Sequence, residues 1–210
     1  MVEPDALEAD LFVFDFDGTL VDSNPIKWKA FETCFEGPAF AARREEIFAY
    51  CRGNNHTTRS EKFRFVYEKI LRLPYTCEVE KQLHRRFGQE TTEAIVQAPE
   101  IPGASKFLQK IRRKHRTAVL SSTPHSILLE ILKRRRWSGY FDLKQGAPVN
   151  KANWLKELKT KGLSMNRVLF FGDSPEDEQA AEKAGCQFVG VRGSSQLKCL
   201  NGVPDFQSFL

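Results

Sequence analysis

Asp15 and Asp17 close an unbroken apolar run, Leu11-Phe12-Val13-Phe14, and Gly18 follows them at once. Such a run reads as a strand buried on both faces, and the glycine lets the chain turn away after it. In a strand that continued regularly, the two carboxylates would point to the same side. At about 4 Å they repel by roughly 4 kcal/mol at an effective dielectric near 20, so a cation or a shared proton has to offset them. An Asx turn at Asp17-Gly18 explains the second acid but leaves Asp15 unaccounted for. Three further groups lie far along the chain. Ser121 and Ser122 close a short apolar strand, Ala118-Val119-Leu120. Lys151 opens a helix behind Asn150, where a cation works against the macrodipole by ~0.3–1 kcal/mol unless a phosphate or the Asp15 carboxylate lies near. Asp173 follows a second strong buried strand, Val168 to Phe171, and Asp177 comes four residues later. Asp177 is the third residue of a helix begun by Ser174-Pro175, a position that favours an acid in any protein.

These groups need elements to position them. From Ile101 onward, strand and helix patterns alternate. A helix carries Ala104, Phe107, Leu108 and Ile111 inward. After the Ala118–Leu120 strand, Thr123 and Pro124 read as N-cap and N1 of a helix whose inner face is Ile127, Leu128, Ile131 and Leu132. A weak strand falls around Phe141-Asp142-Leu143, and a helix spans about Lys151 to Lys161. After the Ser174 helix, Gly185 is the stop. Phe188 to Val191 is the last strand expected, with a tail to Leu210. Alternation of this kind predicts an α/β fold with a Rossmann-like parallel sheet and helices on both faces. In such a sheet ligands bind at the carboxyl ends of the strands, which is where the acids and serines fall.

The stretch between the first strand and Ile101 carries no strand signal. Ser23 or Asn24 can cap a helix bearing Trp28, Phe31 and Phe35, and a second helix is expected over about Ala39 to Cys51. A polar loop from Arg52 follows. Phe63, Val66, Tyr67, Ile70 and Leu71 then mark an amphipathic helix over Arg59 to Arg72, ended by Pro74. Thr76 caps one or two more helical pieces. The expected division is residues 1–21 and 99–210 as the α/β domain, with 22–98 as an inserted all-helical one.

The chain has 210 residues, 41% hydrophobic and 28% charged, as expected of a soluble globular protein. No apolar run is long enough for a membrane span, the acidic start is unlike a signal peptide, and five scattered cysteines suit neither a metal knuckle nor a disulfide framework. A cytoplasmic protein with reduced thiols is expected. The net charge of +5 raises nucleic acid as a partner. However, the basic runs Lys110–Arg116 and Lys133–Arg136 are read as helix ends that complement the dipole, so neither nucleic acid nor membrane is expected as a partner. Oligomeric state stays open between monomer and weak dimer.

Asp15-Phe16-Asp17-Gly18-Thr19-Leu20 resembles the first motif of the haloacid dehalogenase (HAD) superfamily of phosphotransferases, and Gly172-Asp173-Ser174-Pro175-Glu176-Asp177 resembles its fourth. Between them, a strand closing on Ser121 and then Lys151 follow the superfamily's order. The resemblance is to phosphoglycolate-phosphatase-like members, and it implies that 22–98 is a helical cap. It further implies that Asp15 is the nucleophile, Asp17 the general acid/base, Ser121 or Ser122 a phosphate-oxygen donor, and Lys151 a phosphate-binding cation. Mg²⁺ would be held by Asp15, the Asp17 carbonyl and Asp173, with Asp177 a secondary metal-site or Lys-orienting residue. Thr19 and Gly18 would shape the turn at the phosphate. In the cap loop, Asn55, His56, Arg59 and Lys62 would reach a small phosphorylated metabolite. The activity implied is a Mg²⁺-dependent phosphatase; a β-phosphoglucomutase-like phosphotransferase and a catalytically idle binding module are the alternatives.

Overall fold

The computed structural model describes residues 8–54, 57–192 and 202–210. The chain divides into two compact units. One takes the residues up to Ser23 together with those from Ala98 to Leu210, and the other takes Asn24–Gln97.

The first unit is a six-stranded parallel sheet in the order β3-β2-β1-β4-β5-β6. Its strands are β1 (Leu11–Phe14), β2 (Arg116–Pro124), β3 (Leu143–Ala147), β4 (Val168–Gly172), β5 (Gln187–Val191) and β6 (Gly202–Val203). All four residues of β1 are wholly buried, because β2 pairs on one side (Phe14 opposite Val119) and β4 on the other (Phe14 opposite Phe171). The strand order reverses at β1, the place where a parallel sheet opens a crevice at its carboxyl edge.

The two-residue period of the strands divides the core. Leu11 and Val13 face a cluster with Trp154, Leu155, Ala181 and Phe170, drawn from α7 (Lys151–Thr160), α8 (Pro175–Ala184) and β4. Phe12 and Phe14 face the other way, and Phe14 stacks on Phe171 at 4.9 Å between ring centroids. On that side Phe107, from α5 (Ala104–Ile111), stacks on Phe206 and Phe209. Residues 202–210 are therefore not simply the tail expected: Phe206 and Phe209 enter the core, β6 pairs with β5, and a 3-10 turn at Gln207–Phe209 follows.

Three other expectations move. β2 does not end near Ser121 but runs on to Pro124, which pairs with Ala147 after an irregularity in register. Thr123 and Pro124 are thus strand residues, and α6 (His125–Arg134) begins without a side-chain cap. The weak strand lies at Leu143–Ala147, just after the apolar residues that suggested it. Of the first basic run, only Lys110 and Ile111 belong to α5; Arg116 already opens β2.

The second unit consists of helices joined by turns and loops, with no strand among its described residues. After α1 (Asn24–Cys34), a 3-10 turn at Pro38–Arg43 precedes α2 (Arg44–Gly53), so the helix expected from Ala39 starts late. The amphipathic helix is α3 (Arg59–Phe65), opened by a capping box in which Thr58 and Glu61 satisfy each other's backbone N–H groups. It gives way to a π turn over Val66–Ile70, after which Arg72 takes a φ of 55°. A single 21-residue helix, α4 (Cys77–Gln97), follows. Phe31, Phe35, Phe63 and Phe87 make its core. Among the described residues, no helix is long and apolar enough to cross a membrane.

Candidate active site

The carboxyl ends of the three middle strands carry the site. Asp15 comes one residue after β1, and its N–H still donates to Phe171 O at 2.8 Å, extending the ladder. Gly18, at a φ of 85°, then turns the chain so that its N–H meets Val21 O at 2.8 Å. Thr19, wholly buried, ties this turn to the end of β4 through a 3.5 Å bond from its hydroxyl to Asp173. Asp173 directly follows β4.

α7 and α8 supply the other charges. Asn150 caps α7 by accepting the Asn153 N–H at 3.2 Å, which sets Lys151 at the first helical position. The Lys151 ammonium donates to Asp15 Oδ1 at 2.7 Å and to Asp177 Oδ1 at 2.6 Å. The second oxygen of Asp177 accepts from the Ser174 hydroxyl at 2.8 Å. Asp177 can come this close only because residue 172 is glycine: a Cβ there would lie 2.4 Å from the Asp177 Cβ.

Asp15, Asp17, Asp173 and Asp177 are each less than a tenth exposed. Burial lifts the Asp15 carboxyl to about 7; Lys151 opposes this, while the Asp177 and Asp17 charges add to it. Burial works against the Lys151 ammonium, but Asp15 and Asp177 outweigh it and hold Lys151 above its ordinary range. The two shifts differ in cause: burial dominates at Asp15, whereas the paired acids dominate at Lys151, and the two acids on the one ammonium leave an excess of negative charge. Asp15, Asp173 and Asp177 can bring one oxygen each within 4.8 Å of one another. Buried carboxylate oxygens with surplus negative charge are the donor set a hard divalent cation takes, so the residues fit Mg²⁺.

Asp17 is not one of that trio. Its Oδ1 accepts from the Ser23 hydroxyl at 2.7 Å, and its Oδ2 accepts from Thr123 at 2.8 Å and Ser121 at 3.2 Å. Neither Ser23 nor Thr123 was expected here, having been read as candidate helix caps. One signal for Thr123 did exist, since positions 121 and 123 of a strand share a side. Ser122, on the alternate position, is half-buried.

The structure therefore brings together Asp15, Asp17, Gly18, Thr19, Ser121, Lys151, Asp173 and Asp177. The residues expected in the cap loop belong to the helical unit. Asn55 and His56 lie outside the described residues. The Arg59 guanidinium sits 4.0 Å from the centre of the Phe87 ring. Lys62 is buried inside its unit, with its ammonium donating to Cys51 O at 2.8 Å.

A sequence profile of the haloacid dehalogenase-like hydrolases matches residues 12–191. The chain belongs to that family. A phosphoglycolate phosphatase of Aquifex aeolicus is 25% identical to it over 203 residues, covering 93% of this chain and 90% of the relative. Glycerol-1-phosphate phosphohydrolase 1 of Saccharomyces cerevisiae is 27% identical, covering 94% and 80%. In fold, this HAD-like chain matches CbbY from Rhodobacter sphaeroides, solved in complex with xylulose-(1,5)bisphosphate, at a TM-score of 0.70. That match has 15% identity and covers 94% of this chain and 95% of the other.

Proposed function

We propose that this HAD-like chain is a phosphoric monoester hydrolase that uses Mg²⁺ and an aspartyl-phosphate intermediate on a small phosphorylated metabolite. The observation that carries the reading is the division of labour between two acids only two residues apart. Asp15 is paired with a cation at the mouth of the sheet, while Asp17 is held separately by hydroxyls. The relatives' names, phosphoglycolate and glycerol-1-phosphate hydrolases, support a small phosphate ester as substrate.

In this mechanism an Asp15 carboxylate oxygen attacks phosphorus, and the bond from phosphorus to the ester oxygen breaks with its electron pair on the leaving oxygen. Asp17 gives its proton to that oxygen. Water then attacks the phosphorus of the acyl phosphate, passes a proton to Asp17, and releases inorganic phosphate as the bond to Asp15 breaks. Lys151 and Ser121 hold the phosphoryl oxygens, which requires the Ser121 hydroxyl to turn from Asp17. Held by Asp15, Asp173 and Asp177 with the Asp17 carbonyl, Mg²⁺ would supply positive charge against the phosphate dianion. Thr19, Gly18 and Ser122 line the phosphate side in this reading. Residues 22–98 are assigned as the cap that selects the substrate, with Arg59 and Asn55 its candidate contacts.

The test is release of inorganic phosphate from p-nitrophenyl phosphate and a panel of sugar, polyol and nucleotide monophosphates. Turnover is expected with Mg²⁺, none with EDTA, and none in Asp15→Asn. An Asp15→Asn protein with full activity would refute the nucleophile assignment, and phosphate kept on a sugar would mark a mutase instead.

A further inference from the structure

Three hydroxyls hold Asp17, and they are not equivalent. Ser121 is the longest of the three at 3.2 Å, and in the reading above it is the hydroxyl that the substrate recruits. A serine hydroxyl carries one proton, so Ser121 cannot donate to Asp17 and to a phosphate oxygen together. Once it turns, Asp17 Oδ2 keeps only the 2.8 Å bond from Thr123 among these two. The Thr123 N–H also donates to Ser121 Oγ at 3.0 Å, which occupies an acceptor site on that oxygen and leaves its proton for use elsewhere. One residue thus faces both partners of the exchange, through its amide on Ser121 and through its hydroxyl on Asp17.

Thr123 is itself firmly placed. It is 3% exposed and lies where β2 slips register before Pro124 pairs with Ala147. Gly146 of β3 packs against this stretch so closely that a Cβ would sit 2.6 Å from Thr123 O and from the His125 Cα. Its N–H donates to His125 Nδ1 at 3.2 Å. Strand geometry and burial here ask only for a β-branched residue, and valine would meet both demands. The hydroxyl is what those demands leave unexplained.

We propose that Thr123 is a positioning residue for the acid–base carboxylate: its hydroxyl keeps Asp17 aimed while Ser121 leaves to bind the substrate phosphate. The proposal rests on the phosphatase reading and goes one residue beyond it.

The test compares Thr123→Val and Thr123→Ser with the full-length wild-type chain on p-nitrophenyl phosphate and phenyl phosphate. Nitrophenolate departs with little help from a proton, whereas phenolate needs one. A mispositioned acid therefore costs more on the second ester. In Thr123→Val, kcat on phenyl phosphate is expected to fall about tenfold further than on p-nitrophenyl phosphate, with KM changing by less than about threefold. Thr123→Ser, which keeps the hydroxyl, is expected to restore both. Should the valine variant fail to give a folded circular-dichroism spectrum, Thr123→Ala replaces it. Equal losses on the two esters, or a valine variant as active as wild type, overturn the proposal while the wild-type activity leaves the phosphatase reading standing. A wild-type chain that cleaves neither ester removes that reading and this proposal with it.

Discussion

Replacing Lys151 by methionine keeps the volume of the side chain and deletes its charge. In the native site the ammonium lies 2.7 Å from Asp15 and 2.6 Å from Asp177, with 16% of its side chain exposed. At an effective dielectric near 20, each attraction is worth roughly 6 kcal/mol, before the cost of desolvating the ammonium is set against it. What remains on deletion is two buried acids without their cation, a change that costs about 3–5 kcal/mol in proteins. A loss of that size at pH 8 lowers the unfolding midpoint by about 2–4 °C per kcal/mol in a chain this long.

The pH dependence has a definite sign. Asp15 holds its proton to about 7 in the folded chain and gives it up near 3.8 when unfolded. Between those values the folded state binds the extra proton, so this group's contribution is fully present below 3.8 and fades as pH rises through 7. Without Lys151 the Asp15 carboxyl rises further, and protonation relieves the variant at low pH. The deficit of Lys151→Met should therefore be small near pH 5 and large near pH 8, when measured by urea unfolding in EDTA. A deficit under about 1 kcal/mol at pH 8, or one equal at the two pH values, would refute the reasoning.

Two other expectations are simpler to check. Gly172→Ala should destabilise by about 1–3 kcal/mol, because the new methyl meets Asp177, and it should cost more activity than stability when both are compared by phosphate release and thermal unfolding. Among the described cysteines, peptide-resolved alkylation should label exposed Cys77 first. Cys34 and Cys51, whose thiols burial pushes up to about 12 and about 11, should react only on unfolding; early labelling of either would contradict their burial.

The site was readable in sequence wherever a residue type is unusual for its element. Two acids closing an apolar strand, or a lysine starting a helix, conflict with local energetics and so advertise a partner elsewhere. Asp15 and Lys151 are partners of this kind, and Lys151 also meets Asp177, an acid that its helix start would favour in any case. Residues that suit their element equally well for a local reason gave no such sign. Ser-x-Thr-Pro has the pattern of a helix start, but pairing of Pro124 with Ala147 carries β2 onward, and tertiary packing overrides the local preference. Ser23, a plausible cap, spends its hydroxyl on Asp17. Gly172 gives no hint in sequence of the carboxylate it admits, since the contact is set by α8 folding back over β4. β6 is two residues long and leaves no periodicity to detect. In the helical unit the apolar spacing through Leu71 is continuous, and nothing in it foretells the wider π turn at Val66.

The point where the helical insertion leaves and rejoins the sheet domain has a consequence for how such a chain can change. Val21 and Glu100 form an antiparallel bridge, the Asp22 N–H donates to Pro99 O at 3.0 Å, and the Ile101 N–H donates to Leu20 O at 2.9 Å. The outgoing and returning segments are thus zipped together before anything between them is counted. With the ends already clasped, doubling the length of the excursion adds only about 0.6 kcal/mol of closure entropy. The sheet domain is therefore insulated from the size of what hangs there: residues can be gained or lost within the excursion while the clasp at its base stays closed.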